Sequence, residues 1–332
     1  MLTFYNEHHA LGGLAHARAL GPVLATLERR GLGRIVTPHG VPLVSLERVH
    51  APRYLHFLRT AWSEWLALDP LNAGRELLPG SWPVRGMRVE PEPLALRARA
   101  GLYCSDTRTP LTAGSWTAAK TGADCAVNAA HALRVGERAS FALTQPPGRH
   151  AGADWCGGGG FLNNAALAAQ HLLDDGLARV AILDLGPHHG HGTQHIFYGR
   201  ADVLFVSLHL DPRAAYPYHA GHADETGAGA GLGTTMNLPL AAGTGAAQWF
   251  AALETACVKL AMFRAEALVV SLGGDLCAHF GLQGGDFLRI GERLAHLGLP
   301  AAFVFEGLGE VDAGTNNSTH LVNVLEGFET AA

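Results

Sequence analysis

Residues 161–210, FLNNAALAAQHLLDDGLARVAILDLGPHHGHGTQHIFYGRADVLFVSLHL, decide the fold. The stretch 161–176 reads as a helix. It leads into ARVAILDL (178–185), a short apolar run, then a loop dense in glycine and histidine, then a second apolar run, ADVLFVSLHL (201–210). Runs of that length without polar alternation read as strands buried on both faces. The same alternation extends outward. RIVTPHG (34–40) reads as strand then loop, and 45–68 as helix with a break at Pro52. Residues 112–136 form a helix closed by Gly136, followed by a buried strand, ASFALTQ (139–145). Helices over 244–264, 285–298 and 318–329 alternate with strands over 266–275 and 301–307. This order predicts an α/β protein with a mostly parallel sheet covered on both faces. No repeat or Ser/Pro-rich linker divides the chain, so residues 1–332 read as a single domain.

Composition narrows the function. The chain has 332 residues, 48% hydrophobic and 16% charged, enough apolar content for a large core and too much for a disordered chain. A net charge of −5 without a Lys/Arg run argues against nucleic acid as a partner. No stretch reaches the roughly 18 apolar residues of a membrane span. The opening MLTFYNEHHALGG lacks the basic-then-apolar plan of a signal peptide. Five cysteines, odd in number and without CxxC spacing, predict reduced thiols and a cytoplasmic location. The 19 histidines are the unusual feature.

In a parallel sheet, ligands sit beyond the carboxyl ends of the strands. The residues there are Gln145-Pro-Pro-Gly-Arg-His, Asp184-Leu-Gly-Pro-His-His, His209, Gly274-Asp275 and Glu306-Gly-Leu-Gly. Together with PPGRHAGADWCGGGGFLNNAALAAQ (146–170), LDLGPHHGHGTQHIFYG (183–199), VSLHLDP (206–212), ADETGAGAG (223–231) and SLGGD (271–275), they resemble the histone deacetylase superfamily, closest to its acetylpolyamine amidohydrolase branch. The resemblance runs over nearly the whole chain. It implies the arginase/deacetylase fold, a single domain with an eight-stranded mostly parallel sheet flanked by helices. It also implies zinc-dependent hydrolysis of acetyl amides.

That chemistry needs a zinc held by two Asp and one His, a His-His pair for proton transfer, and a Tyr for the oxyanion. By the resemblance, His188 and Asp275 keep two ligand positions, and Asp184 keeps a structural one. The other ligand Asp is Gly186, the first His of the pair is Arg149 beside His150, and the Tyr is Gly309. Pocket walls change as well. An aromatic is replaced at Gly159 in Gly157-Gly158-Gly159-Gly160-Phe161, another at His219, and an Asn or Asp at His191; the N-terminal loop shortens to Gly12-Gly13. Several losses directed at one cavity predict an enlarged pocket lined by Asp106, Gly159, Phe161, His191, His219, Leu308 and Gly309.

Two site readings follow. In the first, zinc deacetylation is lost and no cofactor is used. Arg149 pairs with Asp184 and leaves a positive charge near the vacated metal position, where a small organic molecule binds through a carboxylate or oxyanion. His150 then acts as general acid or base. In the second, His219 joins His188 and Asp275 as a recruited ligand for zinc or iron, and the protein remains an amidohydrolase. A non-catalytic binding protein is a third reading. Cys156 and Cys277 are candidate nucleophiles, with buried inert thiols the preferred reading. The resemblance further implies a structural potassium near Asp184 and raises a homodimer as the assembly.

Overall fold

Every strand among the described residues pairs in parallel, in the order 34–36, 2–4, 139–142, 301–305, 267–272, 180–184, 203–210 and 235–240. The structure is a computed structural model that describes residues 1–12, 20–84, 86, 88–308 and 316–331. The first third holds β1 (Leu2–Phe4), α1 (Leu20–Arg30), β2 (Arg34–Val36), α2 (Leu43–Leu46), α3 (Pro52–Leu68), α4 (Leu96–Tyr103) and α5 (Ser115–Arg134). Then come β3 (Ala139–Ala142), α6 (Asn164–Asp174), β4 (Val180–Asp184), α7 (His191–Phe197), β5 (Val203–Leu210) and β6 (Thr235–Leu240). The chain ends with α8 (Ala246–Phe263), β7 (Ala267–Leu272), α9 (Leu276–Phe280), α10 (Gly284–Ala295), β8 (Ala301–Phe305) and α11 (Asn317–Ala331).

The central strands are buried throughout, and their period of two sorts side chains into two cores. Val180, Ile182, Val203, Phe205, Val269 and Val304 pack on the face covered by α3, α5 and α6. Ala181, Leu183, Leu204, Val206, Val270 and Phe303 pack on the face covered by α1, α8, α10 and α11. The single domain with an eight-stranded sheet and helices on both faces matches the sequence expectation, and the break at Pro52 starts α3. Two strands escape a reading of apolar runs. Strand β1 has three residues, and β6 is an edge strand interrupted by Pro239, the place where a proline is tolerated. Helices α1, α4, α7 and α9 are also absent from that reading, being short or, in α1, carrying Pro22 in the first turn. No helix among the described residues is long and apolar enough to cross a membrane.

The chain leaves β3 and re-enters the sheet at β4, with β8 and β7 lying between them. The loops after these four strands therefore meet at one end of the sheet.

Candidate functional site

The loop after β3 carries Arg149 and His150, and a buried carboxylate fixes it. Glu306, just past β8, accepts from the backbone N–H groups of Gly148 (2.8 Å) and Arg149 (3.0 Å), and from the Ser271 hydroxyl (3.2 Å) on β7. One side chain thus ties the ends of β3, β7 and β8 together. Glu306 stood among the strand-end residues in the sequence, but nothing local marks it as a clamp.

Arg149 is 5% exposed, and its guanidinium fills the space beside Gly186. A Cβ at position 186 would lie 2.2 Å from Nη1, 2.4 Å from Cζ and 2.8 Å from Nη2. Nη1 is buried and has no hydrogen-bond partner. The expected pairing with Asp184 is corrected here: no ion pair joins the two within 4.0 Å. Asp184 sits at the end of β4, where its Oδ1 accepts from the Gly186 N–H at 3.1 Å and its Oδ2 packs against Gly190 without a partner. The guanidinium is held over position 186 instead. Burial raises the carboxyls of Asp184 (to about 7), Asp275 and Glu306, and the positive charge of Arg149 opposes that rise in each. One fixed cation therefore stands among three carboxyls, Asp184 and Glu306 buried and Asp275 half-buried.

The hydrogen bonds assign the tautomer of His150. Arg149 Nε donates to His150 Nε2 at 3.3 Å, and a guanidinium has no acceptor. Burial and the Arg149 charge hold His150 well below its usual pKa, so the ring is neutral and its proton lies on Nδ1. Nδ1 is 3.3 Å from Nδ1 of His191, which accepts in turn. The lone pair that a general base needs is thus engaged by Arg149. His191, also lowered to about 4 by burial, is the far end of this chain.

Tyr216 forms the wall opposite. Its ring meets His150, His191 and His188 edge-on, with centroids 5.1, 5.6 and 6.2 Å away. Its hydroxyl donates to Asp106 Oδ2 at 3.2 Å. Asp106 also accepts from the Gly158 N–H (2.7 Å) on the same oxygen, and from Arg108 N–H (2.9 Å) and Thr109 Oγ1 (2.8 Å) on the other. It organises the glycine loop and has both oxygens in use. Gly158 itself is close-packed: at φ 57° it presses on the His150 ring, which a Cβ would approach to 2.4 Å. Gly159 differs, because a Cβ there meets nothing within 4 Å.

The remaining sequence candidates divide. His188 and His279 meet with ring centroids 5.9 Å apart, and His188 Nδ1 is buried without a partner. His279, on α9 four residues after Asp275, was missed; its signal was that spacing past a strand end. His219 is exposed on the turn after Tyr216, so the recruited set of His188, Asp275 and His219 does not converge. The cause is the turn: it directs Tyr216 inward and leaves Tyr218 55% exposed beside His219. Phe161 and Leu308 are buried core residues, 1% and 3% exposed, rather than pocket walls. Leu308 packs on Gly274, where a Cβ would lie 2.7 Å from its Cδ2. Cys156 is buried, donates to the Tyr103 carbonyl at 3.1 Å, and has its thiol pKa pushed well up by burial, so it is no nucleophile. Gly13, Gly309 and the Cys277 side chain lie outside the described residues.

The donor set does not fit a three-ligand zinc. His188 and Asp275 remain, a guanidinium occupies the space beside position 186, and among the described residues no group of three donors within 4.8 Å forms here.

An eight-stranded parallel sheet that gathers acids and histidines beyond the ends of β3, β4, β7 and β8 is a deacetylase-type fold. The chain belongs to the histone deacetylase family, whose domain matches residues 15–307. It is 48% identical over 316 residues to acetylpolyamine amidohydrolase 1 of Pseudomonas aeruginosa, covering 93% of this chain and 90% of that one. It is 42% identical over 312 residues to the acetylpolyamine amidohydrolase of Mycoplana ramosa, covering 92% and 89%. The crystal structure of acetylpolyamine aminohydrolase from Burkholderia pseudomallei superposes with a TM-score of 0.92 at 34% identity, covering 100% of this chain and 99% of that chain.

Proposed function

We propose that this chain uses the deacetylase crevice to hold a small organic molecule through Arg149, in place of zinc-dependent hydrolysis. The observation that carries this is the buried, unpartnered Nη1 of Arg149 over Gly186. A buried donor without a partner costs roughly 1–3 kcal/mol, more when charged, and a ligand oxygen that accepts from it recovers that cost. The chemistry that suits the site is a carboxylate or acyl oxygen presented to the guanidinium. The open volume at Gly159 supports a bulkier ligand than an aromatic wall admits. No nucleic acid enters this reading, and assembly as a homodimer is compatible with it. The unpartnered Asp184 Oδ2 is a donor that suits the structural potassium implied by the family.

A second reading, a metal-dependent amidohydrolase, is favoured by the relatives and by the unpartnered Nδ1 of His188. In it the third donor beside His188 and Asp275 is His279 rather than His219, and Arg149 swings away. One experiment separates the two. Protein purified without a metal-affinity tag is analysed for zinc and iron, and thermal shifts are recorded with acetylated polyamines and small carboxylates. The first reading expects no metal whose retention depends on Asp275, and a ligand shift lost in Arg149→Met. A metal lost in Asp275→Asn, together with release of acetate from an acetylated polyamine, overturns it in favour of the second.

A further inference from the structure

We propose that His131, His171 and Asp175 bind a divalent transition-metal ion at the adjoining C-terminal ends of α5 and α6, apart from the crevice. His131 lies in the last turn of α5; His171 and Asp175 are one turn apart at the end of α6, where Asp175 is the capping residue. The two helices pack side by side and bring one nitrogen of each ring and a carboxylate oxygen within 4.8 Å of one another.

Two of the three spacings are those of ligands sharing an ion. Asp175 Oδ2 lies 3.5 Å from His131 Nδ1 and 3.3 Å from His171 Nε2. Two ligands bonded at about 2.0–2.1 Å to a tetrahedral ion stand about 3.3–3.4 Å apart. Ordinary ion pairing is the competing account, and the geometry of His171 argues against it. Its Nε2 is buried and makes no hydrogen bond, although the carboxylate oxygen is 3.3 Å away. The ring nitrogen is therefore aimed beside the oxygen rather than at it, as a lone pair directed at a shared point would be.

The surroundings favour a cation. Two helix C-termini meet here, and their carbonyl ends carry partial negative charge. Arg134 donates to the Asp175 carbonyl at 3.0 Å and holds the cap in place. The neighbouring Asp174 is engaged by Arg48, so it does not compete for the ion. Two imidazoles and one carboxylate suit zinc, nickel, cobalt or copper better than calcium or magnesium. His131 is 56% exposed, so an ion can enter and water can complete its shell.

The test is calorimetric titration of the full chain with zinc, with cobalt absorption as a second readout. Wild type, His188→Ala and Asp275→Asn should each bind a zinc equivalent in the micromolar range or tighter at this site. His131→Ala should weaken it by roughly 10- to 100-fold or more, on the scale of losing a supporting group at a metal site. His131→Ala/His171→Ala should abolish it together with the cobalt band. His131 is exposed and helical, so its Ala variant preserves the fold even where His171→Ala does not. Zinc affinity and stoichiometry unchanged in His131→Ala, or wild-type binding only in the millimolar range, overturns the proposal.

Discussion

Restoring the missing ligand tests what the guanidinium does at position 186. The perturbations are Gly186→Asp and Arg149→His, singly and together. A new Cβ at 186 sits 2.2–2.8 Å from three guanidinium atoms, so the two side chains cannot share that space. In Gly186→Asp alone, Arg149 shifts but stays tethered beside the new carboxylate. A unit charge pair at about 4 Å attracts by about 4 kcal/mol at an effective dielectric constant of 20. That pairing competes with a metal, so the single variant should gain little zinc affinity. Arg149→His alone leaves only His188 and Asp275 as donors. The double variant has three donors and no opposing cation. Its zinc affinity should exceed that of either single variant by about 100-fold, a coupling of about 2.7 kcal/mol. The assay is competition with a chromogenic chelator, in a His131→Ala/His171→Ala background so that zinc at the helix ends is not counted. Gly186→Asp binding zinc as tightly as the double variant would refute the argument, because the guanidinium would then be no obstacle.

Other outcomes follow from the same contacts. His9, His50 and His209 are each lowered to about 4 by burial, against about 6.5 when unfolded, so they stabilise the fold above pH 6.5 and lose that contribution as pH falls toward 4. At pH 5 each loss is about 2 kcal/mol, while Asp184, raised to about 7, takes up a proton in the folded state and returns about 2–3 kcal/mol. Urea unfolding at pH 8 and pH 5 should therefore show a net loss of about 3 kcal/mol or more on acidification; a flat or rising profile contradicts the neutral buried histidines. Glu306→Ala should cost about 3 kcal/mol or more by stranding two buried N–H groups, while Glu306→Gln, whose amide oxygen still accepts both, should cost much less in the same unfolding assay. Asp106→Ala should release the Gly158 N–H and the Tyr216 hydroxyl together, raising hydrogen exchange at residues 157–160 by roughly 10-fold, or about 1.4 kcal/mol. Unchanged exchange there would mean that Asp106 does not hold the loop.

The sequence by itself determined the architecture. Short apolar runs such as 178–185 and 201–210 are the length of buried strands and too short for core helices, and the longer helices between them have apolar faces that must cover the sheet. It also singled out the strand ends, and with them Arg149, His150, Asp184, His188 and Asp275, because a parallel sheet gathers its functional loops at one edge. Tertiary structure decided how those residues meet. Whether Arg149 reaches Asp184 or the space over Gly186 depends on the path of a loop anchored by Glu306, 157 residues away in the chain. Whether His219 or Tyr216 turns toward His188 depends on one turn, and His279 joins His188 only because α9 follows β7, the strand next to β4 in the sheet. The donor group of His131, His171 and Asp175 depends likewise on the side-by-side packing of α5 and α6. Side-chain direction at a few ångströms is set by packing across the chain, and periodicity along the chain carries no record of it.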